Sequence, residues 1–185
     1  EKSVTAFHEV TEFFTRWGVP VSADALNRFR TGQIPMLIST AYFYNSLTIS
    51  ATEIEGLWSM YPIPATVNND GSSNRSESGK VSGAIAFKSS KNVDETFDFL
   101  NWWTSDEVQN EFAFECESRI GKGSRYFPAN KNVLKTMSWS EEEYVALSSQ
   151  REVLKHFQQS PATYYLNRNF VNAFRRVVYD YENSR

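Results

Sequence analysis

The sequence predicts an α/β fold. Segments whose apolar residues recur every three or four positions alternate with short, nearly continuous apolar runs, in the order helix, strand, helix, strand, strand, then mostly helix. The short runs have the length and composition of buried strands in a parallel sheet. No repeat at 20–50 residues points to a solenoid or a propeller instead.

Val4, Phe7, Val10, Phe14 and Trp17 form the first helical stripe, which Gly18 and Pro20 end. A short helix is expected from about Asp24 to Arg30, stopped by Gly32. Ile34 to Ser39 reads as the first strand, and a helix with Tyr42, Tyr44 and Leu47 near its start follows. Leu57 to Ile63, closed by Pro62 and Pro64, reads as the second strand. Residues 65–80 are polar, with a turn signal at Asp70-Gly71, and are expected to form a mobile loop. Val81 to Phe87 reads as the third strand, and a helix is expected from about Val93 to Trp103. Ser105 can cap the next helix, whose first turn holds Asp106 and Glu107 at the positive end of the helix dipole. Gly121 to Pro128 reads as irregular. Ser140 with Glu143 is a capping box opening a helix to about Phe157. After Pro161 a last helix carries Phe170, Phe174, Val177, Val178 and Tyr181. The helically spaced aromatics Trp17, Phe97, Trp103 and Phe174 are expected in the core.

The bulk numbers exclude several functions. The chain has 185 residues, enough for one domain or one and a half, and its 41% hydrophobic and 22% charged content is that of a globular protein. With a net charge of -3 there is no basic stripe for a phosphate backbone, so nucleic acid is not an expected partner. No apolar run is long enough to span a bilayer. Cys116 is the only cysteine, so no intrachain disulfide can form. The chain opens at Glu1 already in a helical pattern and with no signal peptide, which suggests an excised piece rather than a natural start.

A search for reactive sets returns little. His8 and His156 lie far apart, and neither has a nearby second ligand, so no metal site and no cofactor are expected. Carboxylates flank Cys116 and disfavour its thiolate, leaving a buried structural cysteine as the expectation. Gly71 to Lys80 ends in Gly-Lys, but Val81 stands where a phosphate loop needs Ser or Thr. What stands out is the aromatic content of 15%. Tyr42, Tyr44 and Trp58 occur in polar surroundings near loops, as do Tyr126, Trp139, Tyr164 and Tyr165. Flat rings beside hydrogen-bonding groups suit a sugar, whose C–H face lies on a ring while its hydroxyls pair at the rim.

Five stretches, in order, resemble the bacterial extracellular solute-binding proteins of family 1, sugar-binding partners of ABC importers related to maltose-binding protein. They are Asn27 to Met36, with Phe29, Gly32 and Met36 in the family's spacing; Glu53 to Trp58 followed by Pro62-Ile63-Pro64; Gly83 to Lys91; Phe99 to Ser105 with Val108-Gln109; and Asn172 to Arg175. The resemblance implies a periplasmic-binding-protein-like type II fold of two α/β lobes hinged around a cleft. This chain would supply mostly the helix-rich C-terminal lobe. Residues 1–64 and 130–185 would belong to that lobe, with 65–80 as a loop and 81–128 returning to the N-terminal lobe. It further implies a non-catalytic protein that closes on a sugar or oligosaccharide and delivers it to the membrane subunits of an ABC transporter. The full-length protein would be an extracellular lipoprotein. The ligand-binding residues expected on this basis are Tyr42, Tyr44, Arg75, Arg168 and Arg175, to which the aromatic reading adds Trp58. A swapped dimer is one way for the orphaned 81–128 segment to pack. Two alternatives stand beside this reading: a carbohydrate-active enzyme using a carboxylate pair such as Glu53 and Glu143, and a structural or partner-binding module.

Overall fold

The computed structural model describes residues 2–68, 70–155 and 160–180. The chain divides into two compact units, Glu1–Asp24 with Phe157–Arg185, and Ala25–His156.

The first unit pairs two helices, α1 (Lys2–Thr15) and α8 (Pro161–Tyr179). Phe7 and Phe14, two turns apart on α1, meet Phe170 and Phe174, one turn apart on α8, in edge-to-face contacts at 5.4 and 5.2 Å. Thr11 lies between them and is fully buried; its hydroxyl donates to the His8 carbonyl at 2.9 Å, which satisfies the one polar atom the side chain brings inside. His8 itself is half-buried. Gly18 takes a left-handed φ of 65° just beyond the helix, as expected of a stop signal. Pro161 sits at the first position of α8, where its missing N–H costs nothing, and the Ser160 N–H donates to the Thr163 hydroxyl at 2.9 Å.

The second unit contains α2 (Ala25–Arg30), α3 (Phe43–Ser50), α4 (Val93–Trp103), α5 (Asp106–Ile120), α6 (Lys131–Thr136) and α7 (Glu141–Glu152). Arg30 ties α2 to the end of α3 by a 2.8 Å ion pair with Glu53 and a bond to the Ser50 carbonyl. Ser105 caps α5 by accepting from the Val108 N–H. Asp106 at the start of α5 accepts from the side-chain amides of Asn130 and Asn132, which lash α6 to α5. The capping box of α7 is complete: Ser140 Oγ accepts from the Glu143 N–H at 3.2 Å, and Glu143 accepts from the Ser140 N–H at 2.9 Å. Tyr44, Leu47, Ala51, Val133 and Leu134 supply much of the buried core.

The strands differ from expectation. Ile34–Ser39, Leu57–Ile63 and Val81–Phe87 are irregular, and Met36, Ile38, Leu57, Tyr61, Val81, Ile85 and Phe87 are 68–84% exposed. A strand exists only where a neighbour completes its ladder, and among the described residues none runs beside these segments. The ladders form instead in the polar stretch read as a loop. There, β1 (Thr66–Val67) and β2 (Ser73–Asn74) make an antiparallel hairpin, Thr66 opposite Asn74. Gly71 supplies its turn with a φ of 81°, and Asp70 accepts from the Ser72 N–H. β3 (Glu77–Ser78) pairs in parallel with β4 (Leu154–Lys155). α7 therefore ends at Glu152, short of the expected Phe157, because Leu154 and Lys155 leave helical geometry for that ladder. Gln150 also reaches outward from α7: its amide oxygen accepts from the Ile63 N–H at 3.0 Å and its NH2 donates to the Arg75 carbonyl at 3.1 Å.

The aromatic expectations also need correction. Phe174 packs as expected, but Trp17 is 66% exposed with the Arg16 guanidinium 5.0 Å from its ring centroid. Phe97 and Trp103 lie on the surface side of α4, although Trp103 keeps an edge contact with Phe112 at 5.3 Å. Cys116 is half-buried rather than buried. His156, Phe157 and Tyr181 lie outside the described residues.

Candidate functional site

Helical spacing on α3 builds one wall of a groove in the second unit. Tyr44, Leu47, Thr48 and Ala51 follow one another at three- and four-residue intervals and line the same face. Glu55, Gly56, Trp58 and Met60 also line the groove, as do Lys122, Ser140, Glu142 and Glu143. The cavity measures about 260 Å³, just below the range of about 300–1,000 Å³ typical of small-molecule sites.

The aromatic wall is held from behind. The buried Tyr44 ring meets Trp58 at 5.5 Å and Trp139 at 5.2 Å, both edge-on. Trp139 stacks on Phe127 at 5.6 Å, and Phe127 receives Tyr42 edge-on at 5.1 Å.

Arg125, only 4% exposed, fixes this arrangement. Its guanidinium lies 4.9 Å from the Trp139 ring centroid, donates to the Tyr44 hydroxyl at 3.0 Å and to Glu117 at 2.6 Å, and approaches Glu143 at 3.6 Å. The Asn45 side chain donates to the Arg125 carbonyl at 2.7 Å, anchoring that loop on α3. Burial pulls the Arg125 guanidinium toward its neutral form, but its hydrogen bond with Glu117 and the neighbouring charges more than offset this, so its pKa is raised. Burial pushes the Tyr44 phenol upward; the Arg125 cation opposes the rise and the Glu143 carboxylate reinforces it. The phenol therefore stays protonated at neutral pH.

The six sequence-predicted residues fall in different places. Tyr44 and Trp58 line the groove together. Tyr42 is largely exposed and joins the same aromatic cluster through Phe127. Arg75 lies just after β2, exposed, with its carbonyl taken by Gln150. Arg168 and Arg175 are exposed positions on α8, in the first unit.

Arg125 was missed by sequence reasoning. Its only local sign is a cation placed directly before Tyr126-Phe127-Pro128, an apolar run that must pack. The carboxylates suggested for catalysis already have partners: Glu53 pairs with Arg30, and Glu143 serves the α7 cap and Arg125. Among the described residues no group of three His, Cys, Asp or Glu side chains could hold a metal ion. None of the described helices is long and apolar enough to cross a membrane.

Comparison with curated proteins and with solved structures returns no match. A family model does match. Residues 17–110, just over half of the chain and including Tyr44 and Trp58, fit the model of the bacterial extracellular solute-binding proteins, and the chain belongs to that family.

Proposed function

We propose that the chain takes part in capturing a sugar or oligosaccharide for an ABC importer, by hinge closure around the ligand and without chemical turnover. Membership of the family supports the coarser part: solute capture outside the cytoplasmic membrane and delivery to transporter membrane subunits. The sugar rests on one observation. Two aromatic rings, Tyr44 and Trp58, line a groove whose other walls carry hydroxyl, carboxylate and ammonium groups. That combination offers a stacking surface for a pyranose face and acceptors and donors for its hydroxyls.

In this reading Tyr42 extends the aromatic cluster through Phe127, and Arg75 enters on the strength of the sequence resemblance as an exposed cation. Arg168 and Arg175 enter on the strength of the sequence resemblance, as exposed guanidinium groups of α8. The same resemblance supports the assignment of residues 1–64 and 130–185 to a C-terminal lobe, lipid anchoring of the full-length protein, and self-association of this chain through its 81–128 segment.

The test is a thermal-shift and calorimetric screen of neutral mono- and oligosaccharides. A sugar present at 100 times its Kd adds about 2.7 kcal/mol of stability. Trp58→Ala should abolish the shift while leaving the unliganded protein folded. Silence across the whole panel refutes the reading.

A further inference from the structure

We propose that the groove selects for a protonated amine on its ligand, so that an amine-bearing polyol or sugar binds more tightly than its neutral analogue, and an acidic one more weakly. The inference rests on the groove being the ligand site. What it adds comes from the distribution of charge around Arg125.

The buried guanidinium cannot neutralise both carboxylates beside it. Its short contact, 2.6 Å, is with Glu117, which does not line the groove. Glu143, which does, is held at 3.6 Å. One arm of the guanidinium meets Glu117 and the other meets Tyr44 and Glu143, so a single cation is shared between two carboxylates and one negative charge is left over. At the rim, Lys122 meets Glu55 at 3.3 Å, and that pair is balanced. Glu142 also lines the groove and is exposed, with no ion pair or hydrogen bond among the described residues. Three lining carboxylates, Glu55, Glu142 and Glu143, therefore stand against one lining cation, Lys122, and Arg125 behind the wall is shared with Glu117. The α7 N-terminus adds roughly half a positive charge, which reduces the excess without cancelling it.

The aromatic wall is compatible with the same ligand. Trp58 and the nearly buried Tyr44 line the groove, and an aromatic ring attracts an ammonium group. An anion would meet Glu142 and Glu143 with only Lys122, already paired, to receive it. A cation would complete an existing imbalance and gain charge-assisted hydrogen bonds.

The test compares three probes that share a ring and differ at one substituent: glucose, glucosamine and glucuronate. Each is titrated calorimetrically into the whole chain at pH 7, at low and at high salt. The expected order is glucosamine, then glucose, then glucuronate, with about tenfold between the first two, the size of one charge-assisted hydrogen bond. The preference should shrink at high salt. It should also shrink in Glu142→Gln, read as the ratio of glucosamine to glucose affinity in that variant against the same ratio in the native chain. Equal binding of glucose and glucosamine, or tightest binding of glucuronate, overturns the charge inference and leaves the sugar site standing. No binding of any probe, at either salt, overturns both.

Discussion

Arg125 offers the most demanding test of how the second unit is held together. Substituting Met for Arg125 keeps the length and apolar stem of the side chain and removes the guanidinium. Lost with it are the 2.6 Å bond to Glu117, the 3.0 Å bond to Tyr44, the 3.6 Å approach to Glu143 and the stack on Trp139. Breaking a buried ion pair from one side costs about 3–5 kcal/mol, because the remaining charge is stranded. Here the side chains of Glu117 and Glu143 keep 22% and 24% of their exposure, so water relieves part of that penalty. The lower end, about 3 kcal/mol, is therefore expected. Urea unfolding followed by tryptophan fluorescence is the assay, since Trp58 and Trp139 flank Tyr44. With a slope of about 1–3 kcal/mol per molar, the midpoint should fall by about 1–3 M at unchanged slope. Adding Glu117→Gln should recover at least about 1 kcal/mol of the loss, the signature of direct coupling. A loss below about 1 kcal/mol, or strict additivity of the two changes, would refute this account of the cluster.

Two further outcomes follow from local features. Ser140→Ala removes one arm of the α7 capping box and should cost about 1 kcal/mol, a fall in Tm of about 2–4 °C by calorimetry. The side-chain amides of Asn130 and Asn132 hold the Asp106 carboxyl below its usual range. Its contribution is therefore complete above the unfolded value of about 3.9 and is lost as pH falls through the lower folded value. The stability of Asp106→Asn should accordingly fall less steeply than the native chain's in acid titrations below about pH 4, with urea midpoints as the readout.

The helices were legible because their signals are local. Gly18 and Gly32 stop α1 and α2, Ser105 and the Ser140–Glu143 box open α5 and α7, and α4 begins and ends where the periodicity of Phe97, Leu100 and Trp103 puts it. The strands were not legible, because a ladder is a property of two segments. An apolar run such as Val81 to Phe87 announces its own preference and says nothing of a neighbour. Ser78 and Lys155, polar and 77 positions apart, pair although neither advertises it. The candidate site divides the same way. Tyr44 and Trp58 were visible as aromatics in polar company, whereas Arg125 reaches Tyr44 across 81 positions of sequence, a contact no spacing rule reports.

Gln150 turns α7 into a lever. Its single amide holds the main chain at Ile63 and at Arg75, on either side of the β1–β2 hairpin. Two turns earlier on the same helix, Glu143 sits in the wall of the groove. Seven residues of helix span about 10.5 Å. A shift of α7 as a body at Glu143 would move Gln150 with it, and through Gln150 the main chain at Ile63 and Arg75.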